Sequence, residues 1–206
     1  MDTVKSLIVA ADTIADVGCD HGKIAEFCAK SGLARRVIAS DISDSCLDKA
    51  RKRLSDAPNV TFLLCDGIDY ECDEAVIAGM GGLLVCDILA NAECKPKTLV
   101  LCPHRNGYDV RKTLFALGYG IDRDEAVCDR GKFYSVIRAV RGENVCELTE
   151  LQLLFGKHCA TPNAVLREWL IKLYGTYAVA RSANASKLEN VAAALEMQGV
   201  DVAEVE

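Results

Sequence analysis

The sequence predicts an α/β protein: a doubly wound, mostly parallel sheet of seven strands that ends in an antiparallel hairpin, followed by a small helical unit. Three observations carry this. Short apolar runs alternate with helix-period segments through the first two thirds of the chain, the pattern of consecutive strand–helix units. The first run, Ile14-Ala15-Asp16-Val17, enters a glycine turn, Gly18-Cys19-Asp20-His21-Gly22, and a helical pattern leaves it. That is the first strand–loop–helix corner, where such folds bind their ligand. Finally, two strand-like segments, 119–129 and 132–140, meet at Asp129-Arg130-Gly131, a hairpin signal. A terminal hairpin suits a seven-stranded sheet and not a six-stranded all-parallel dinucleotide fold.

Composition narrows the class. The chain has 206 residues, which suits one α/β domain (1–146) plus a helical addition (147–206). Half the residues are apolar, and no apolar run approaches the ~20 residues of a membrane span. Asp2 and a mixed segment follow Met1, so no secretory signal is expected. The 11 cysteines are odd in number and scattered, with no C-x-x-C pair, so neither a zinc site nor a disulfide framework is expected. Several, such as Cys65, Cys86 and Cys102, sit in apolar runs where a thiol acts as a small hydrophobe; a reducing cytoplasm fits that usage. The net charge of −6 speaks against a broadly basic surface, so any RNA site has to be a local basic patch.

The elements follow in order. Residues 2–11 place Val4, Leu7, Ile8 and Ala11 on one helical face, a short helix covering the sheet. Strand one is 13–17. The helix after the corner carries Ile24, Phe27 and Cys28 and stops near Gly32. Strand two, 36–41, ends on Asp41, followed by Ile42 and a helix over 43–55 that Ser43 or Asp44 caps. Arg51, Lys52 and Arg53 read as its solvated face. Strand three, 60–65, ends in Asp66-Gly67. Strand four, 75–78, runs from Ala75 to Ala78 into Gly79-Met80-Gly81-Gly82, three glycines that permit close backbone approach to a ligand. Strand five, 98–102, leads into Pro103-His104-Arg105-Asn106-Gly107 and a helix ending at Gly118. Beyond Cys146 the pattern is helical: Thr149-x-x-Gln152 is a possible capping box, Asn163 can cap a longer helix, and Ser186-x-x-Glu189 resembles another box. The stripe Leu166, Trp169, Leu170, Leu173, Tyr177 reads as core, with a base-stacking platform as the alternative.

The corner is not a dinucleotide fingerprint, because Asp20 occupies the middle glycine position of G-x-G-x-x-G. A carboxylate repels a diphosphate and attracts an ammonium or a sulfonium, and S-adenosylmethionine carries both cations. On this reading Asp16, Gly18, Asp20, His21 and Gly22 admit the methionine end. Asp41, with Ile42 beside it, can accept from both ribose hydroxyls, or act only as a helix cap. Asp66 and Gly67 face the adenine edge, or form a plain turn. Ala78, Gly79 and Met80 line the crevice below the methyl group. His104 and Tyr134 are candidate substrate residues, and Arg105, Arg111 and Lys112 are the best local phosphate-binding candidates. The strand-four glycines lack the Asn/Asp-Pro-Pro-aromatic motif of adenine amino-group methylation, so a target base has to be held differently. Asp20 can stabilise positive charge that develops on a methylated base, or only hold the ammonium.

Asp16-x-Gly18-x-Asp20-x-Gly22 resembles the acidic-x-Gly-x-Gly-x-Gly motif of class I methyltransferases. Four segments in order, Asp16-Val17-Gly18-Cys19-Asp20-His21, Asp66-Gly67, Ile77-Ala78-Gly79-Met80-Gly81-Gly82 and Gly131-Lys132-Phe133-Tyr134, together with Leu154-Phe155-Gly156, resemble the bacterial tRNA (adenine-22-N1)-methyltransferase family. The resemblance implies a Rossmann-like class I domain, a coiled-coil-like helical C-terminal domain, S-adenosylmethionine as cofactor and tRNA as partner. It implies methylation of N1 of an adenine; on the reading of the residues above, Asp20, His104 and Tyr134 are the candidate catalytic residues and no metal is expected. The loop Cys102-Pro103-His104 departs from the family pattern. Activity on another RNA, a small molecule or a protein is the alternative, as is a cofactor-binding module without turnover. Oligomeric state is open, a monomer included.

Overall fold

The computed structural model describes residues 1–205. In chain order the elements are α1 (Asp2–Leu7), β1 (Ala11–Val17), α2 (Lys23–Ser31), β2 (Ala34–Asp41), α3 (Asp44–Arg53), β3 (Val60–Leu64), β4 (Glu74–Ala78), α4 (Gly82–Asn91), β5 (Thr98–Cys102), α5 (Gly107–Ala116), β6 (Tyr119–Asp129), β7 (Lys132–Arg141), α6 (Glu150–Phe155), α7 (Ala164–Ala178) and α8 (Ala185–Met197), with a 3-10 turn at Val202–Glu204. Among the described residues one seven-stranded sheet has the order β3-β2-β1-β4-β5-β7-β6. Strands β1 to β5 pair in parallel, and β7 runs antiparallel to both β5 and β6. The order reverses between β1 and β4, which opens a crevice at the strands' carboxyl ends.

The central strands are buried on both faces, which is why they read as near-continuous apolar runs. Successive side chains alternate faces. Ile14, Val37, Val76 and Val100 therefore join α1, α2 and α3 in one apolar layer. Ala15, Ile77, Leu99 and Leu101 join α4 and α5 in the other. A third apolar cluster belongs to the C-terminal helices, with Phe155, Leu166, Leu170, Tyr174, Val191 and Leu195 at its centre. No helix among the described residues is long and apolar enough to cross a membrane.

Local signals explain most boundaries. Arg130 and Gly131 both take positive φ, 50° and 74°, so a two-residue turn with the twist of a primed hairpin joins β6 to β7. Thr149 and Gln152 form the reciprocal capping box, and the Asn163 side chain accepts from Leu166 N. Three expectations need correction. Helix α1 stops at Leu7 because Ile8 turns extended, and Ala11 already belongs to β1. Ser186 caps nothing: α8 begins at Ala185, after backbone bonds from Ala180 N to Tyr177 O and from Asn184 N to Ala180 O have set the turn. Ser43 stands at the N-cap of α3 without a side-chain cap bond; its backbone N–H donates instead to Asp41 Oδ1 at 2.9 Å.

The largest correction concerns Arg111, which is 1% exposed and is no phosphate ligand. Its Nε and Nη2 donate to the two oxygens of Asp124, each at 2.8 Å, and Nη2 also reaches Ser135 Oγ at 2.8 Å. Its Nη1 donates to Leu153 O at 3.0 Å, and Asp124 Oδ2 further accepts Lys157 N at 2.7 Å. One buried fork thus joins α5, β6, β7 and the C-terminal end of α6.

Candidate active site

The first corner is built around positive φ. Gly18 sits at φ +68°, where any other side chain is strained, and a Cβ there would have to displace the tip of the Met80 side chain, 1.9 Å away at Cε. Gly22, at φ +66°, also serves packing: a Cβ would stand 3.1 Å from both Ala50 Cβ and Leu54 Cδ1 of the neighbouring helix segment. Asp20 keeps the left-handed conformation, φ 43°, at the position where a glycine fingerprint has its second glycine. Aspartate tolerates that region better than most side chains.

Four carboxylates surround this turn or face it across the sheet. Asp16 is buried on β1, and its Oδ2 accepts Ala25 N at 2.9 Å. Burial pushes its carboxyl up to about 7; the Ala25 bond opposes the rise and the Asp41 charge adds to it. Asp41 ends β2 and accepts one backbone N–H on each oxygen, Asp20 N at 3.1 Å and Ser43 N at 2.9 Å. Each oxygen retains a lone pair for a further donor. Ile42 beside it is 70% exposed, an apolar face with no protein cover. Asp20 is half-exposed, with Lys49 Nζ 3.4 Å from Oδ1 and His21 Nε2 3.3 Å from Oδ2. Partial burial raises its pKa, but bonds from Cys46 and Lys49 and the His21 charge outweigh that, and the carboxyl lies below its ordinary value. Asp66 follows β3, and Gly67 next to it takes φ +93°. The β3–β4 connection is tied back to β2 by a 2.6 Å bond between Tyr70 Oη and Ser40 Oγ.

The opposite wall comes from two laced loops. His104 N donates to Met80 O at 2.8 Å, Gly79 N to Cys102 O at 3.3 Å and Gly82 N to Arg105 O at 3.0 Å. This corrects the reading of the three β4 glycines as a ligand cradle. A Cβ on Gly82 would lie 2.4 Å from Arg105 O, so this glycine is required by the neighbouring loop; Gly81 has open space and negative φ. Gly79, at φ +88°, keeps the conformational requirement. The His104 and Tyr134 rings face one another, centroids 5.4 Å apart and tilted by 45°.

A cleft of about 550 Å³ lies between the walls. It brings together Asp16, Gly18, Asp20, His21, Ala78, Gly79, Met80, His104 and Tyr134. Gly22, Asp41, Ile42, Asp66 and Gly67 lie outside it, Asp41 being joined to its edge through Asp20 N. Two further parts of the wall escaped the sequence reading. Met1, Asp2, Thr3 and Val4 line the cleft, although α1 was expected only to cover the sheet. Val127, Cys128 and Asp129 line it from the hairpin. A signal for the second existed: β6 and β7 have 11 and 10 residues against 5 in β5, so the hairpin overhangs the strand ends.

These residues fit S-adenosylmethionine. Each Asp41 oxygen keeps a lone pair that suits a ribose hydroxyl, Ile42 is an exposed apolar side chain that suits a base, and Asp16 and Asp20 put carboxylates on the cleft wall that suit a cationic ligand. A family model described as a methyltransferase domain matches residues 1–137. A Mycoplasma pneumoniae "putative tRNA methyltransferase" is 32% identical over 183 residues, covering 84% of this chain and 85% of the relative. The Bacillus subtilis tRNA (adenine(22)-N(1))-methyltransferase is 26% identical over 195 residues, with 87% and 82% covered. Among solved structures, a Streptococcus pneumoniae "putative tRNA (m1A22) methyltransferase" in complex with S-adenosyl-L-methionine superposes with a TM-score of 0.84 at 22% identity, covering 94% of this chain and 97% of that one.

Proposed function

The chain belongs to the bacterial tRNA (adenine-22-N1)-methyltransferase family, and from that membership we infer that it transfers a methyl group from S-adenosylmethionine to N1 of adenine 22 in a tRNA. The single observation that carries the reading is the cleft itself. One cavity joins the acidic glycine corner of β1 to an aromatic pair, His104 and Tyr134, on the far loop and hairpin.

When bound, the cofactor supplies an electrophilic methyl carbon on a sulfonium. Asp41 holds the ribose through the two oxygen lone pairs that the corner leaves open. Asp66, with Gly67 beside it, would meet the adenine edge, and Ile42 would offer the base an apolar side chain. Asp16 takes the ammonium side, with Gly18 and Gly79 letting the backbone come close. Adenine N1 has a free lone pair, so no side chain has to remove a proton before transfer. The work of the chain is to position the base and exclude water. His104 and Tyr134 flank the base, and Met80 closes the floor. Methylation at N1 leaves the base cationic, so a fixed carboxylate lowers the barrier as that charge develops; Asp20 is the residue assigned to this. A base within a stem has to leave its stack to enter the cleft. Residues 147–206 are assigned as the helical unit that widens the RNA-facing surface beside it.

The test is nucleoside mass spectrometry of tRNA incubated with the protein and S-adenosylmethionine. The expected product is 1-methyladenosine, absent when adenine 22 of the tRNA is replaced by guanine. Methyl label in another nucleoside, or at another adenine, would overturn the assignment.

A further inference from the structure

A second cavity, about 270 Å³, lies across the hairpin from the cleft, between the β5–α5 loop, the start of β7 and α7. Its wall is aromatic. Phe133 and Trp169 stack with planes 4° apart and centroids 6.0 Å apart, and Tyr177 and Leu173 extend the surface along α7. The α7 stripe packs on the C-terminal core as expected, but its members differ in exposure. Leu166, Leu170 and Tyr174 are buried against the other helices, whereas Trp169, Leu173 and Tyr177 stay half-buried and line the groove.

Charge and continuity point to the occupant. Arg105 is exposed on the rim and has no carboxylate within ion-pair distance among the described residues, and the same holds for Arg130 and Lys132 at the hairpin tip. Lys172 Nζ stands 5.5 Å over the Phe133 ring and donates to Gly131 O at 3.0 Å. Asp109, the acid in the groove wall, takes a 3.3 Å bond from Asn106 Nδ2. A chain of net charge −6 thus sets Arg105 in the wall of an aromatic groove and Lys172 against its Phe133, with Arg130 and Lys132 at the hairpin tip next in sequence to Phe133, the combination that tracks a phosphate backbone and stacks unpaired bases. His104 and Tyr134 line both cavities, so an occupant of the groove is separated from an occupant of the cleft by one aromatic pair.

We propose that this groove holds the base of the nucleotide next in the RNA strand to the target adenosine, stacked against Trp169 and Phe133 with its phosphate toward Arg105; this rests on the RNA reading above. Trp169 then acts as a positioning residue: it keeps the target base from restacking and does not touch the transferred methyl group.

Trp169 is the single tryptophan of the chain, so the wild-type protein reports on the groove directly. Its emission is followed while substrate tRNA is titrated in the presence of S-adenosylhomocysteine, and methyl transfer is measured on RNAs carrying an abasic residue on the 5′ or the 3′ side of the target. The expected results are saturable quenching and, for one of the two abasic RNAs, a KM raised about 5- to 150-fold with kcat within twofold. In Trp169→Leu, intact and abasic RNA should share one KM; Arg105→Ala, on an exposed loop, should raise KM at unchanged kcat and steepen no fold-dependent signal. Methylation that proceeds without quenching and ignores both abasic positions overturns the groove proposal alone. Failure to methylate any RNA while S-adenosylhomocysteine still binds overturns the RNA reading and the groove with it.

Discussion

Replacing Asp41 by alanine tests the cofactor assignment where the structure is most specific. Each oxygen already accepts one backbone N–H, Asp20 N at 3.1 Å and Ser43 N at 2.9 Å, and each has one lone pair left. Hydrogen bonds to a charged acceptor are worth about 1.5–3 kcal/mol each. Two ribose bonds, reduced by the water that alanine would admit, leave a loss of about 2–4 kcal/mol, or about 30- to 1,000-fold in affinity. Asparagine should lose less, because its single carbonyl oxygen can serve one partner while its amide N–H₂ opposes the other backbone donor. Calorimetric titration with S-adenosylhomocysteine measures both variants, and thermal denaturation of the unliganded proteins checks that the corner still folds. A 2′-deoxyribose analogue separates direct contact from disturbance: the wild type should discriminate against it about tenfold, and Asp41→Ala should not. Affinity retained within threefold in a folded Asp41→Ala, or equal discrimination in both proteins, would refute the assignment.

Three further outcomes follow from the same structure. Asp20→Asn should lower kcat about 10- to 30-fold while S-adenosylhomocysteine affinity changes less than threefold, since the side chain is half-exposed and partly compensated by Lys49 and His21; equal losses in both would reduce Asp20 to a cofactor ligand. Arg111→Met should cost about 3–5 kcal/mol in urea unfolding, because Asp124 would be left buried and unpaired, and Arg111→Met with Asp124→Leu should recover much of it. Glu74 is buried on β4, with Oε1 accepting Val9 N at 3.3 Å and Oε2 without a partner among the described residues. Burial pushes its carboxyl from 4.5 up to about 7, opposed by the Val9 bond and the Arg138 charge. Between those values the unfolded chain has released a proton that the folded chain still holds, so stability falls as pH rises through the window. Asp16, also raised to about 7, adds to the fall; Glu74→Gln should flatten the stability–pH curve between pH 5 and 8, and an unchanged curve would show that Glu74 does not titrate there.

What the sequence discloses depends on how local the cause is. The parallel strands are legible because burial on both faces leaves runs such as Ala75–Ala78 or Leu99–Leu101 almost purely apolar. The hairpin and the Thr149 and Asn163 caps are legible because their hydrogen bonds close within four residues. Arg111 is not legible: it lies in a helix beside Lys112, and the partner that buries it, Asp124, is 13 residues away on β6. Gly82 misleads for the same reason, since the Arg105 carbonyl that excludes a Cβ belongs to another loop. The site shows both cases. The Gly18–Gly22 turn is written contiguously, whereas the α1 wall exists only once the sheet has assembled and no periodicity in residues 1–4 announces it; the hairpin overhang is legible only as strand length, 11 and 10 residues against 5 in β5.

The ribbon formed by β6 and β7 is a partition with a chamber on each side. Its base is clamped through Asp124, and its tip is a two-residue turn with no strand beyond it. Lys172 Nζ donates to Gly131 O and Trp169 stacks on Phe133, so α7 holds that tip in place. His104 and Tyr134 line both chambers, so a substitution at either residue alters the lining of both.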